Sequence, residues 1–229
     1  MRRVKGLVSA LQLESREEKA LVACPQQVIP EPGQYLLAAE HGAIQGTPLF
    51  LSGTWKQGFV APKPYPSSWQ PGTQLTLFGP LGNGFQLPGD VQRLALVALG
   101  NSVSRLLPLL DRMKGENSGS TIFSDLLFSD LPPALEAYPI ESLPESITWA
   151  DFIVVDCPLD RLEDMATLFY KSTHEPETLR GQILIDTNIP CCGIGKCGVC
   201  AVKINRSWKL ACEDGPVFDL SGVLEGISR

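Results

Sequence analysis

Short apolar or alternating runs fill the first third of the chain, and each is short enough for a single strand. Pro-Gly pairs at 32–33 and 71–72 separate them. Short strands with regular turn signals are typical of a small β-barrel or sandwich. The sequence therefore predicts strands over 21–28, 34–39, 47–51 and 74–78, a Pro-rich loop or irregular edge over 56–69, and a short amphipathic lead-in over 6–13.

From residue 93 onward the apolar runs become continuous. Such runs are typical of strands that are covered on both faces of a parallel sheet. Helical spacing alternates with them, which indicates a small α/β domain. The sequence predicts strands over 94–99, 121–123, 152–155 and 183–185 and helices over 103–113 and 159–170, while 126–146 is Pro-rich and receives no assignment.

These patterns predict a fold class that is α+β and multi-domain. An N-terminal β-barrel would cover residues 1–91, a shortened α/β parallel-sheet domain 92–181, and a C-terminal cysteine-rich segment 182–229. The composition agrees with a folded chain, because 44% of its 229 residues are hydrophobic and 19% are charged. Those values exclude wholesale disorder.

Charge and hydropathy narrow the classes of partner. The net charge is −6, so the chain lacks the basic footprint of a nucleic-acid-binding protein or of a protein attracted to an anionic membrane. No run approaches the 18 apolar residues of a membrane span. Five of the seven cysteines fall between 191 and 212, whereas a secreted disulfide framework spreads them out. We therefore expect a cytoplasmic protein with no membrane span.

The cysteine cluster carries the clearest chemistry. Cys192, Cys197 and Cys200 have the spacing C-x4-C-x2-C of plant-type iron–sulfur proteins, and Cys212 follows after eleven residues. Glycines between them permit positive φ angles and close approach of backbone N–H groups to sulfur. Residues 201–210 fit a hairpin that returns the fourth cysteine. We predict that Cys192, Cys197, Cys200 and Cys212 are the metal ligands and cofactor-binding residues of a [2Fe–2S] cluster.

Alternatives remain open at this point. The same cysteines could hold a structural zinc ion or be inert buried thiols, although zinc sites more often use two C-x2-C pairs. Cys191 is the rival for the first ligand, with C-x5-C spacing. Cys24 and Cys157 lie in apolar strand contexts and are expected to be ordinary buried residues. Nothing marks His41 or His174 as a ligand.

Two segments extend the pattern to a family. Residues 192–200 and 211–218 resemble the C-terminal cluster segment of the dihydroorotate dehydrogenase electron-transfer subunit family. Residues 32–35 and 79–85 resemble barrel motifs of that family and of the wider ferredoxin reductase superfamily. The resemblance covers about 20 to 220. It implies a flavin-binding β-barrel, a nucleotide-binding-like α/β domain and a cluster segment. It also implies that electrons pass between flavin, cluster and a catalytic subunit, with NAD as the outer acceptor.

The chain departs from the family at both nucleotide motifs. Thr47-Pro48-Leu49-Phe50 stands where the family has an Arg-Pro-x-Ser-like run whose arginine pairs with the flavin diphosphate. The turn 100–104 keeps one glycine of a Gly-Gly-Gly-Ile-Gly-like turn, and Ser102 or Ser104 could simply cap a helix. About 50 residues separate Gly100 from Asp151. FAD is therefore possible but doubted, and NAD binding is not expected.

The resulting functional prediction is an iron–sulfur electron-transfer subunit with no catalytic residues of its own. The expected partner is a catalytic flavoprotein subunit in a hetero-oligomer, with dihydroorotate dehydrogenase of pyrimidine biosynthesis as a candidate. One alternative is an FAD-containing, NAD-linked reductase subunit. Another is a non-redox assembly subunit whose metal site is structural.

Overall fold

The fold is taken from a computed structural model that describes residues 2–14, 17–43, 45–100, 103–113, 118–126, 131–133, 135–173, 175, 178–187 and 195–227. Within these ranges the strands are β1 Arg2–Glu14, β2 Glu17–Ala23, β3 Tyr35–Glu40, β4 Thr47–Phe50, β5 Gly53–Trp55, β6 Gly58–Pro62, β7 Gln74–Leu81, β8 Arg93–Ala98, β9 Gly119–Ser124, β10 Glu136–Pro139, β11 Phe152–Pro158, β12 Gly181–Asp186, β13 Ala201–Ile204, β14 Ser207–Leu210 and β15 Val217–Asp219. The α-helices are α1 Leu143–Ser146, α2 Leu162–Ser172 and α3 Leu220–Ile227.

The first seven strands form one curled antiparallel sheet, a half-barrel. Its order is β4-β3-β7-β1-β2-β6-β5. Alternating residues on the inner face build its core, as the buried pattern of β2 and β7 shows. The largest fully buried side chains there are Leu36, Leu49, Phe59 and Leu77.

Two expectations for this region were wrong. Residues 6–13 are not a lead-in but part of β1, which pairs with both β2 and β7. The Pro-rich loop or irregular edge predicted over 56–69 contains β6, a regular strand that pairs with β2 on one side and β5 on the other. Gly58 permits that pairing, because a Cβ on it would collide with the carbonyl oxygen of Val22.

The remaining strands build a six-stranded sheet with the order β10-β9-β8-β11-β12-β15. All neighbours are parallel except β15, which runs antiparallel to β12. Every residue of β11 is buried, as the continuous apolar run predicts for a strand with both faces covered. The parallel α/β expectation is confirmed.

The segment over 103–113 differs from its prediction. It forms two 3-10 helices, Val103–Arg105 and Leu107–Arg112, rather than one α-helix. Pro108 has no N–H group and disfavours the α region for the residue before it, so it interrupts a continuous α-helical ladder. Ser104 does not cap a helix; its hydroxyl donates a hydrogen bond to Oε1 of Glu17 (2.9 Å).

The half-barrel and the parallel sheet share a core. Tyr35, Leu37 and Phe50 of the half-barrel belong to the same buried apolar cluster as Leu94 and Leu96 of β8. The division into residues 1–91, 92–181 and 182–229 stays a prediction. No helix in the described part of the chain is long and apolar enough to cross a membrane.

Candidate metal centre

Two predicted ligands meet at the base of the β13–β14 hairpin. Cys200 precedes β13 and Cys212 lies two residues after β14. The cross-strand pair Ala201–Leu210 brings the ends of the hairpin together. The Sγ atoms of Cys200 and Cys212 are therefore 3.3 Å apart. Cys200 is buried and Cys212 is half-buried.

The other two predicted ligands differ in what the structure describes. Cys197 is exposed in the loop that leads to Cys200. Cys192 and its rival Cys191 lie outside the described residues. Among the described residues alone, no group of three or more His, Cys, Asp or Glu side chains is placed to hold a metal ion. The four-ligand set, and the choice between Cys191 and Cys192, stay predictions.

The loop geometry suits a metal cluster. Gly195 (φ +66°) and Gly198 (φ +70°) occupy the left-handed region on either side of Cys197. A Cβ on Gly195 would collide with the carboxylate of Glu213, so the loop and the residue after Cys212 are closely packed. Thiol donors, tight glycine turns and nearby backbone N–H groups fit an iron–sulfur cluster.

The motif at 79–85 holds this segment to the half-barrel, which the sequence did not reveal. Asn83 donates a side-chain hydrogen bond to the carbonyl of Asp214 (2.7 Å), and its backbone N–H donates to the carbonyl of Gly215 (2.7 Å). The Asp214 carboxylate accepts the N–H of Leu210 (2.8 Å), which lowers its pKa. Asp214 is thus an anchor of the hairpin.

The other titratable candidates lie apart from this centre. Burial raises the pKa of Cys24 to about 11 and raises that of Cys157 still further. Both thiols therefore stay protonated near neutral pH, as packing residues do. His41 is exposed on the turn after β3, and His174 lies outside the described residues.

The strand at the expected flavin position is β4. Pro48 and Phe50 line a cavity of only about 20 Å³, together with Tyr35, Asp186 and Cys212. That volume suits about one water molecule, whereas pockets for organic ligands span roughly 300–1,000 Å³. β4 also supplies no positive charge for a diphosphate. The fold fits the possibility of FAD, although β4 lacks the arginine of the family's flavin motif; the binding of FAD stays a prediction.

A buried ion triad fills the seam beside that cavity. Arg105 donates Nε and Nη2 to the two oxygens of Asp156 (2.7 and 2.6 Å) and Nη1 to Asp186 (2.6 Å). Arg105, Asp156 and Asp186 are 3%, 1% and 5% exposed. The guanidinium also lies 5.0 Å from the ring centre of Phe50, within cation–π range.

Two carboxylates share this one guanidinium, which shapes their titration. Desolvation raises the pKa of Asp156 to about 6, although Arg105 opposes the rise and Asp186 adds to it. Burial alone would lower the pKa of Arg105, but the two carboxylates raise it. The sequence analysis did not predict the triad. Its only signals were that Asp156 and Asp186 each follow an apolar strand run and that Arg105 lies within an apolar run.

The Gly100 turn is also occupied by the chain's own groups. Its N–H donates to both oxygens of Asp125 (3.0 and 3.2 Å). Asp125 also accepts from Nη1 of Arg161 (2.9 Å). An amide at such a turn could meet a phosphate, but here a carboxylate takes that place. Asn101 and Ser102 lie outside the described residues.

Comparisons with known proteins agree with this organisation. Residues 189–224 match the family model of the iron–sulfur cluster binding domain of dihydroorotate dehydrogenase B. The dihydroorotate dehydrogenase B (NAD(+)) electron transfer subunit of Clostridium perfringens is 25% identical over 161 residues, which are 65% of each chain. The sulfhydrogenase 1 subunit gamma of Pyrococcus furiosus is 28% identical over 185 residues, which are 65% of this chain and 62% of the relative.

The match to solved structures concerns the fold. A structure of the NADH-dependent reduced ferredoxin-NADP oxidoreductase superposes with a TM-score of 0.71 at 17% identity, covering 99% of this chain and 92% of that one. The chain spans slightly less than two thirds of the length of the curated relatives. The comparisons therefore confirm the resemblance of this chain to the dihydroorotate dehydrogenase electron-transfer subunit family, with a ferredoxin-reductase-like fold and with a match near its C-terminus to an iron–sulfur cluster binding domain.

Proposed function

We propose that this chain is an iron–sulfur electron-transfer subunit that serves a catalytic flavoprotein. The match of residues 189–224 to a cluster-binding domain carries the proposal. The thiols of Cys200 and Cys212, 3.3 Å apart at the hairpin base, support it. Cys192 and Cys197 complete the proposed ligand set. A bound [2Fe–2S] cluster would accept and release one electron at a time.

The chain's own residues supply position and environment. The β13–β14 hairpin sets the distance between Cys200 and Cys212. Asn83 ties the segment to the half-barrel through Asp214 and Gly215. Tyr35 directs its hydroxyl toward the carbonyl of Cys212 (3.5 Å) and covers the inner side of the site. These residues orient the ligands and exclude water; none of them is proposed as catalytic.

The partner in this proposal is a catalytic flavoprotein subunit in a hetero-oligomer in the cytoplasm. Two relatives support an assembly, because both are named as subunits of larger enzymes. The catalytic subunit of a dihydroorotate dehydrogenase is the first candidate, since the family model and one relative carry that name. The second relative is named as a sulfhydrogenase subunit, so a hydrogenase is the other candidate partner.

Anaerobic purification tests the proposal. We expect a coloured protein with two irons and two acid-labile sulfides per chain and a single-electron paramagnetic signal on reduction. Cys200→Ser should remove the visible absorption and most of the iron. Cys24→Ser is the matched control, because Cys24 lies in the half-barrel, and it should retain both. Full iron content in Cys200→Ser would overturn the ligand assignment.

The same purified protein also distinguishes the proposed function from a second candidate, an FAD-containing reductase, which the fold favours. Flavin released on heating, in equal amount to the chain, would support that candidate. Zinc in a colourless protein would instead support a structural metal site.

A further inference from the structure

The outer side of the cluster segment carries a basic, aromatic surface that the proposed function does not yet use. We propose that this surface, formed by Lys196, Val199, Lys203, Arg206 and Trp208 and called the hairpin face below, receives an acidic surface of the electron-transfer partner. The inference rests on the proposed function, because it requires a cluster bound at the base of the same hairpin.

Exposed apolar area marks the hairpin face. Trp208 is 71% exposed and Val199 is 53% exposed. Lys203 and Trp208 are a cross-strand pair, so they share one side of the hairpin. The opposite side buries Val202 and Ile204, and β13 packs against α3. A large exposed tryptophan amid charged residues is typical of a contact surface between proteins.

The charge of the hairpin face determines the kind of partner. Residues 195–210 contain four basic residues and no acidic one, in a chain whose net charge is −6, and the carboxylate of Glu213 is the acidic group that packs against Gly195 at its start. Lys209 is directed at Asp214 (3.4 Å), while Lys196 and Arg206 are exposed and Lys203 is half-buried beside Trp208. A basic surface on a chain of negative net charge attracts and orients an acidic surface. An acidic partner surface fits this pattern.

The inner side of the site is closed by the chain itself. The rings of Tyr35 and Phe50 are 5.6 Å apart, and the guanidinium of Arg105 lies over Phe50. Tyr35 reaches the carbonyl of Cys212, and the cavity between these groups measures about 20 Å³. A donor cannot approach Cys212 through this packing. Among the described residues, Cys197 is exposed two positions before Val199, so the hairpin face lies beside an accessible ligand.

Small charged oxidants test the sign of the charge on the hairpin face. Reduced, cluster-loaded protein is mixed anaerobically with ferricyanide or with the tris(phenanthroline)cobalt(III) cation. Each reaction moves one electron from the cluster to the oxidant. Raising ionic strength from about 20 to about 300 mM screens surface charge. We expect oxidation by ferricyanide to slow with salt and oxidation by the cobalt complex to accelerate.

Charge reversal locates the effect. Lys203→Glu/Arg206→Glu should slow ferricyanide about fivefold or more at low salt and accelerate the cobalt complex. Lys56→Glu/Lys171→Glu is the matched control, because it changes the net charge equally at exposed sites on the half-barrel and α2. Rates in the two double variants that agree within about twofold would overturn the inference.

A protein probe tests docking itself. Reduced protein is mixed with oxidised flavodoxin, an acidic flavoprotein, and flavin semiquinone formation is followed. Trp208→Ala should slow this transfer while leaving the ferricyanide rate unchanged, because it removes contact area and no charge. Equal flavodoxin rates in Trp208→Ala and wild type would exclude the aromatic contact. A protein without iron would overturn the proposed function and this inference together, whereas a coloured protein with charge-independent rates would overturn only the inference.

Discussion

Arg105 is the residue on which the seam between the half-barrel and the parallel sheet depends. It joins Asp156 within β11 to Asp186, the last residue of β12, and packs its guanidinium on Phe50 of β4. Burying charged groups is costly unless they are paired and hydrogen-bonded. The geometry satisfies that condition with three short bonds from one side chain. Removing Arg105 would take these three bonds away from two buried carboxylates.

Arg105→Ala should therefore lower the free energy of unfolding by about 3–5 kcal/mol. Arg180→Ala is the matched control, since the Arg180–Asp90 pair is exposed, and it should cost less than about 1 kcal/mol. Urea unfolding of both variants measures the difference. Equal effects of the two substitutions would show that the triad does not stabilise the seam.

Asp156 gives the stability a pH dependence of known sign. Its pKa is raised to about 6 in the folded state by burial, against about 3.9 unfolded. The contribution of Asp156 to the free energy of unfolding is complete at a pH below its pKa in the unfolded state. This contribution is lost as the pH rises through about 6. The stability of the wild type relative to Asp156→Asn should therefore fall by about 1 kcal/mol between pH 5 and pH 7. A rise over this range, from urea unfolding at each pH, would show that Arg105 keeps the carboxylate ionised.

At the scale of elements, α3 positions the cluster hairpin. Gly226 lies where a Cβ would collide with the carbonyl oxygen of Lys203 in β13. The helix and the strand are thus in direct backbone contact. α3 also packs against β12 of the parallel sheet. The hairpin is therefore packed directly on α3, and Asn83 of the half-barrel bonds to the segment that follows the hairpin.

Gly226→Ala tests this contact. In an open helix, replacing Gly by Ala adds about 1 kcal/mol of stability. Here we expect the opposite, a loss of about 1–3 kcal/mol, because the methyl group has no room. Gly89→Ala is the control, since nothing lies within 4 Å of its added Cβ. Thermal unfolding with iron retention measures both, and a stabilised Gly226→Ala variant would contradict the close packing.

The sequence predicted those elements whose pattern is local. The apolar runs at 94–99 and 152–155 identified β8 and β11, because buried parallel strands need no alternation. β1 was missed because its pattern mixes charges with apolar residues and its strand state depends on pairing with β2 and β7. The predicted helix at 103–113 failed because helical spacing alone does not show the effect of Pro108.

At the scale of the whole molecule, the chain's own side chains contact each other at the two segments where the family resemblance predicts nucleotides. Phe50 and the Arg105 triad fill the seam at β4, and Asp125 takes the amide of Gly100. NADH, with or without about one equivalent of added FAD, should therefore leave the cluster oxidised. Anaerobic stopped-flow absorbance measures this, with dithionite as the positive control. Bleaching by NADH and FAD within seconds would favour the reductase alternative instead.

Only part of the candidate site could be predicted, because several of its contacts join residues that lie far apart along the chain. Cysteine spacing is a local signal, so the four proposed ligands could be named from sequence. The partners of Arg105 lie 51 and 81 residues away, and Asn83 bonds to a residue 131 positions later. Such contacts depend on how two sheets meet, which no periodicity of a single segment encodes.

The antiparallel strand β15 has a consequence for how the chain is made. β12 is an interior strand only because β15 pairs along one of its sides. During synthesis β15 leaves the ribosome after the whole cysteine segment, so until then β12 presents a bare edge. Bare, apolar edges invite pairing with other chains. A nascent chain halted between β12 and β15 would therefore be prone to aggregate.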